Sequence, residues 1–251
     1  MGTPNKAGIF TIVVMIGSIN FCQAQVDISK WQIGINGGVF VYLGDLTPSA
    51  AGSFKTLKPT GTLYISRVLT PSFILRTNLV YGLLAGNESK YSKPAYRRQR
   101  NLSFSSSVKE VSELLVWNMY SNNNNEIGKR FSPYLFAGAG ISFLNINRSS
   151  NLNKAFFVNE PRIETGLAAD LVKVPPSVIL VLPVGVGVEY YLFTKVSLTA
   201  ETDFRYTFTD YVDGFSLAAN PEKNDFYQSY TLGLVFKFTK RDNVDCPVLK
   251  Y

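Results

Sequence analysis

The sequence predicts an all-β fold: an eight-stranded antiparallel transmembrane β-barrel with a side-chain-filled lumen. Three observations carry this. Eight segments alternate with a period of two, pairing a bulky apolar face with a face of Gly, Ser, Thr and charges. The connections alternate between tight turns and long loops, and a secretory signal pattern heads the chain.

The first element is the signal. "MGTPNKAGIFTIVVMIGSINFCQAQ" has one Lys, an apolar stretch from Ala7 to Phe21, then small and polar residues. Residues 1–24 are therefore expected to be removed after Ala24. A lipoprotein reading of Cys22 is disfavoured, because Phe21 stands where a small residue is required. Cleavage leaves Cys246 alone, so export proceeds without an intrachain disulfide. No later segment has the roughly 18–20 uninterrupted apolar residues of a spanning helix.

The strands follow in order at 31–43, 58–69, 72–86, 107–120, 132–144, 178–192, 196–208 and 227–239. In the clearest, "VILVLPVGVGVEYYL" (178–192), Val178, Leu180, Leu182, Val184, Val186, Val188, Tyr190 and Leu192 share one face. Pro183, Gly185, Gly187 and Glu189 lie on the other. Lipid accepts the first face; the second fits a narrow lumen. Gly138, Gly140, Gly185 and Gly187 would leave a hollow there, to be filled by Arg76, Arg205 and Tyr side chains. No segment shows a helical period. Longer loops at 44–57, 87–106, 147–177 and 209–226 face outward; the short turns and both termini face the periplasm. Residues 25–240 form the barrel and 241–251 a periplasmic tail.

Composition excludes several functions. A hydrophobic share of 46% rules out disorder. With no His and only Cys22 and Cys246, His-based triads and ordinary zinc or haem sites have no ligands. No nucleophile-and-base set, cofactor or metal is expected. The net charge of +7 would suit nucleic acid, but export argues against it.

Four constellations remain. Arg76, Glu189, Glu201, Asp203, Arg205 and Lys237 point inward and must pair. The fork of Arg205 or Arg76 is expected on Glu201. At the outer rim, Tyr42, Gly44 and Asp45 leave the first strand, and Thr209, Asp210, Tyr211 and Asp213 leave the seventh. They read as turn chemistry, with a recognition surface or a weak calcium site at Asp45, Asp210 and Asp213 as the sharper alternative. In "KYSKPAYRRQR" (90–100), Lys93, Arg97, Arg98 and Arg100 read as a solvated loop or as a contact for lipopolysaccharide phosphates. Trp31, Tyr42, Phe73, Trp117, Tyr120, Tyr206, Phe208 and Tyr230 are candidates for interfacial aromatic girdles.

Five stretches in order, "GGVFVYLGDL" (37–46), "SPYLFAGAGISFLN" (132–145), "LPVGVGVEYYL" (182–192), "ETDFRYTFTDYVDGFS" (201–216) and "DCPVL" (245–249), resemble the PorG-like (DUF6089-type) outer-membrane barrels of Bacteroidota. On the fourth strand, where that family tends to have E-x-N, this chain has Val116-Trp117-Asn118. The resemblance implies an eight-stranded barrel and an accessory role in type IX secretion, touching a periplasmic ring of PorK- and PorN-like proteins. A surface-binding or envelope-integrity barrel, and a soluble barrel with an apolar ligand inside, are the alternatives.

Overall fold

The computed structural model describes residues 27–49, 52–121, 123, 130–220 and 224–238. The expected signal peptide, the tail and most of the 121–130 turn lie outside these residues. Eight strands form one closed antiparallel sheet: β1 (Trp31–Leu43), β2 (Lys58–Val68), β3 (Phe73–Asn87), β4 (Leu102–Asn118), β5 (Phe131–Ser150), β6 (Val178–Phe193), β7 (Val196–Thr207) and β8 (Phe226–Lys237). Each pairs with its neighbours in sequence, and β8 closes on β1.

The register fixes the shape. The ladder from Trp31 runs through Arg67, Leu75, Leu115, Ala137, Val184, Phe204 and Gln228 and returns to β1 at Val41, ten residues further along (41 − 31). That stagger in eight strands implies a tilt of about 40° and a bore that side chains fill.

The outer wall is apolar. Leu63, Leu79, Val111, Ile141, Leu180, Val184, Leu198 and Leu232 all stand exposed on it. Exposed Phe73, Trp117, Phe131, Tyr190 and Phe236 ring the turn end, and Tyr81, Phe143, Tyr206 and Phe208 the loop end. Tyr42 departs from the girdle expectation: it is fully buried inside the barrel.

Two more expectations are corrected. β4 begins at Leu102 rather than 107 and β5 runs on to Ser150 rather than 144, taking in residues read as loop. Their extra outward residues, Ser103, Ser105, Asn145 and Asn147, are polar, so the apolar period stops while the ladder continues above the belt. A helix also exists where none was expected. After the short α1 (Tyr96–Arg100), α2 spans Pro161–Val172 and opens on Pro161, whose fixed φ suits a first turn. It buries only Gly166, Leu167 and Asp170, too narrow a stripe to show as amphipathic periodicity.

Candidate functional site: a filled lumen under a folded cap

The inward charges form three tiers. Nearest the turns, Lys237 Nζ lies 2.7 Å from Glu189 Oε1 and 4.0 Å from the centre of the Tyr191 ring. In the middle tier, Arg76 Nη1 donates to Glu201 Oε1 at 2.6 Å, and Tyr134 Oη and Asn36 Nδ2 donate to the same carboxylate at 2.6 and 3.0 Å. The Arg76 guanidinium sits 4.8 Å from the ring centres of both Tyr64 and Phe136, whose negative faces compensate for Nε and Nη2 having no hydrogen-bond acceptor. In the upper tier, Arg205 Nε donates to Glu110 Oε2 at 2.8 Å while Nη1 contacts Asp203. Ser229 donates to Asp203 at 2.7 Å.

Arg76, not Arg205, therefore takes Glu201, and Arg205 bridges two other carboxylates. Glu110 is absent from the sequence-derived set. On β4 both faces carry acids, Glu110 inward and Glu113 outward, and Leu114 and Val116 turn inward while Leu115 and Trp117 turn outward, so alternation does not tell the faces apart. The signal that could have found it is charge balance: Arg205 needs a second anion once Arg76 holds Glu201.

Beside the glycines of β6 the expected hollow is filled by a tyrosine, as the sequence suggested, and by Phe136. Tyr134 stands opposite Gly187, and Phe136 opposite Gly185. A Cβ at Gly187 would lie 2.5 Å from the Tyr134 ring, so glycine is needed for the ring to lie flat on the strand. A cavity of about 30 Å³ remains between the lower and middle tiers, lined by Gln32, Ser66, Arg76, Asn118 and Glu189, with room for about one water.

Above the upper tier, the long loops fold into a cap. Buried Glu88 binds two of the three basic-loop arginines: Arg100 Nη2 lies 2.5 Å and Arg97 Nη1 3.2 Å from its Oε1. Arg100 Nη1 also donates to the carbonyl of Ala218, and Arg97 Nη1 to that of Asp45. Arg97 and Arg100 are thus buried ties between loops, which corrects the solvated reading for these two; Lys93 and Arg98 are exposed. Asp170 on α2 accepts from the backbone N–H of Ser216, Leu217 and Ala218, and from Tyr211 Oη.

The outer-rim residues converge with two acids that sequence reasoning passed over, Asp170 and Asp225. Tyr42 Oη lies 2.6 Å from Asp213 Oδ2 and 2.5 Å from Asp225 Oδ1. A hydroxyl has one proton to give, so one of these carboxyls carries a proton of its own and donates back. Burial pushes both acids well above the usual carboxylate range, and the charge of Asp225 adds to the rise at Asp213. A Cβ on Gly44 would strike Asp225 and the Tyr42 ring. Asp45 Oδ2 accepts from Asn220 N at 2.6 Å, and the Thr209 carbonyl accepts from Asp225 N. Half-buried Asp210 makes no hydrogen bond of good geometry. Burial pushes it up to about 7 against a lowering by nearby Ser216, with Asp45 and Asp170 adding to the rise. Among the described residues, no group of three or more acidic, His or Cys side chains is placed to hold a metal ion.

Fold and site define a class: a closed eight-stranded barrel, apolar outside, ion-paired inside and capped at one end. The profile of the family described as "Domain of unknown function (DUF6089)" matches residues 7–237, and the chain belongs to that family. No curated protein matches the sequence. Among solved structures, Neisserial surface protein A is 13% identical, with 83% of this chain and 97% of that one covered and a TM-score of 0.47. A major outer membrane protein from Thermus thermophilus is 12% identical, with 83% and 99% covered and a TM-score of 0.45. The attachment invasion locus protein Ail of Yersinia pestis is 10% identical, with 83% and 97% covered and a TM-score of 0.43.

Proposed function

We propose that this protein is a non-enzymatic barrel of the outer membrane that anchors a periplasmic assembly, as an accessory subunit of a type IX secretion apparatus. The observation that carries the anchoring role is the filled lumen. Three tiers of ion pairs and the Tyr134 and Phe136 rings occupy the bore, so the barrel offers a fixed body in the bilayer and no conduit. Its lipid contact is the exposed apolar wall with aromatic residues at both ends. The assignment to secretion is supported by the PorG-like stretches at 37–46, 132–145, 182–192, 201–216 and 245–249. Within this reading the short turns and the 241–251 tail meet PorK- and PorN-like ring proteins.

The test is deletion of the gene followed by an assay of type IX cargo export, with co-purification of ring proteins from solubilised outer membranes. Loss of export and recovery of the ring proteins are expected. Intact export in the deletion strain would sink the secretion role. A second reading, a surface-binding or envelope-integrity barrel, is favoured by the built cap, in which the long loops are tied to one another through Arg97, Arg100, Asp170 and Asp45. It predicts a permeability or adhesion phenotype with export unchanged, and exposed Lys93 and Arg98 are its candidates for lipopolysaccharide phosphates. The soluble-barrel alternative requires polar residues outside and apolar ones within; the wall has the opposite arrangement.

A further inference from the structure

Three strands rise above the rim of the barrel as a ribbon. β3 loses its β2 partner beyond Gly82, and β5 loses its β6 partner beyond Phe143. β3, β4 and β5 nevertheless stay paired with one another as far as Asn87, Ser103 and Ser149. The inner face of the ribbon explains why it persists: Leu84, Phe104 and Leu144 pack into the core under the cap. The outer face is of another kind. Ala85, Ser105 and Asn147 share one rung, and Asn87, Ser103 and Ser149 the next. Together with Lys58, Lys90 and Arg148, these short side chains line a cleft of about 350 Å³, and no acidic residue lines it.

The height of the cleft decides what stands beside it. Exposed Tyr81, Lys109 and Phe143 form one rung of the loop-end girdle. Ser105 lies four residues beyond Lys109, about 10 Å further along the membrane normal at the strand tilt of such a barrel. A phospholipid headgroup layer is only about 5–8 Å thick, so it ends below the cleft. Side chains on the outer face point sideways from the barrel, toward whatever surrounds it at that level. Their chemistry is one-sided. Lys58 and Lys90 form no ion pair among the described residues. Arg148 gives its donors to the carbonyls of Gly214, Leu171 and Lys173, so no carboxylate cancels its charge. Exposed Ser105 and Asn147 make no side-chain hydrogen bond among the described residues. A face that meets only water carries acids as readily as lysines.

We propose that the outer face of the β3–β5 ribbon, with Lys58, Lys90, Ser105 and Asn147 at its centre, is a docking site for the phosphorylated saccharide headgroup of an outer-leaflet glycolipid. Phosphates meet the lysines, and sugar hydroxyls meet the serine and asparagine side chains. The acyl chains of the same molecule lie on the wall below, where Leu79, Val111 and Ile141 are exposed on the same three strands. Charge complementarity selects an anion. The height selects a sugar headgroup over a phospholipid, and the sideways aspect selects a membrane component over a solute. The site is distinct from Lys93 and Arg98 on the basic loop. The inference rests on the reading that the loop end faces outward in the outer membrane, and it stands or falls independently of the secretion role.

The experiment measures, by native mass spectrometry, binding of the full-length protein in detergent micelles to a bisphosphorylated lipid A that carries inner-core sugars. Binding should be at least ten times tighter than to phosphatidylglycerol or to the same glycolipid stripped of its phosphates, and millimolar inorganic phosphate should not displace it. Lys58→Gln combined with Lys90→Gln should weaken it at least ten-fold, and so should Ser105→Glu alone. Ser105→Gln, of the same size but neutral, should cost less than three-fold. Ser105 is exposed, so neither of its variants threatens folding, and heat-modifiable gel mobility shows that the barrel is closed. Lys93→Gln combined with Arg98→Gln should change binding less than two-fold. Equal affinity for phosphatidylglycerol, displacement by inorganic phosphate, indifference to Ser105→Glu, or a larger loss from the Lys93 and Arg98 pair would each overturn the proposal. On intact cells, Asn147→Cys in a C246S background should react with a membrane-impermeant maleimide. Reaction only after lysis would overturn the outward reading beneath the proposal; reaction on intact cells without glycolipid binding would overturn the proposal alone.

Discussion

The lumen and the cap both bury acidic side chains, but they neutralise them differently. In the lumen each carboxylate meets a cation: Glu189 has Lys237, Glu201 has Arg76, and Glu110 and Asp203 share Arg205. Among the fully buried carboxyls described in the cap, Glu88 meets cations, Arg97 and Arg100. Asp170, Asp213 and Asp225 are held instead by backbone N–H groups and tyrosine hydroxyls. The geometry of the lumen ion pairs is set by the strands that carry them. Carboxyls that share a phenol hydroxyl depend on a proton. The barrel interior is held by opposite charges carried on neighbouring strands, whereas the stability of the cap is linked to protonation.

The comparison breaks first at Arg205. Arg205→Leu strands Glu110 and Asp203 in the bore and should cost about 3–5 kcal/mol of barrel stability. Urea unfolding in detergent micelles measures it, and replacing Glu110 and Asp203 by their amides as well should recover much of the loss. Tyr42→Phe acts on the cap. It removes the hydroxyl between Asp213 and Asp225 and should cost about 1–3 kcal/mol of local stability, seen as faster hydrogen exchange in 209–219 with the barrel strands unchanged.

The pH response sharpens the contrast further. The folded-state pKa values of Asp210, Asp213 and Asp225 are raised. Their contribution is complete below the ordinary carboxylate pKa and is lost as pH rises through the folded values, near 7 for Asp210. Protease nicking of 208–225 should thus increase from pH 5 to pH 8. The smallest effect is expected from Asp210→Asn, which should flatten the part of that increase near pH 7 and leave nicking at pH 5 unaltered.

What the sequence made legible follows from which forces act locally. Where lipid meets one face and the bore the other, as along Val178–Leu192, a period of two is unmistakable, and it marks all eight strands. The inward charges of β3, β6, β7 and β8 come from the same alternation. It fails on β4, where Glu113 puts a carboxyl on the lipid face and makes Glu110 indistinguishable from it. It also fails above the membrane, where β4 and β5 continue with polar residues on their outer face. The cap is the least legible part. Arg97 and Arg100 look solvated in the sequence, because Glu88, which buries them, binds through a loop fold with no periodic signature. Asp170 and Asp225 carry no local mark either; they matter because tertiary contacts bring N–H groups and Tyr42 to them.

The central claim is that the row of exposed aliphatic side chains faces acyl chains. Depth-dependent quenching by brominated lipids tests it most directly, on the wild-type protein and on Leu232→Trp with Trp31 and Trp117 replaced by Phe, both in vesicles. The account predicts that the native Trp31 and Trp117 are quenched best by bromines near the headgroups, and the tryptophan at 232 best by bromines deep in the chains. Emission at 232 that ignores brominated lipid and yields to iodide in water would contradict it.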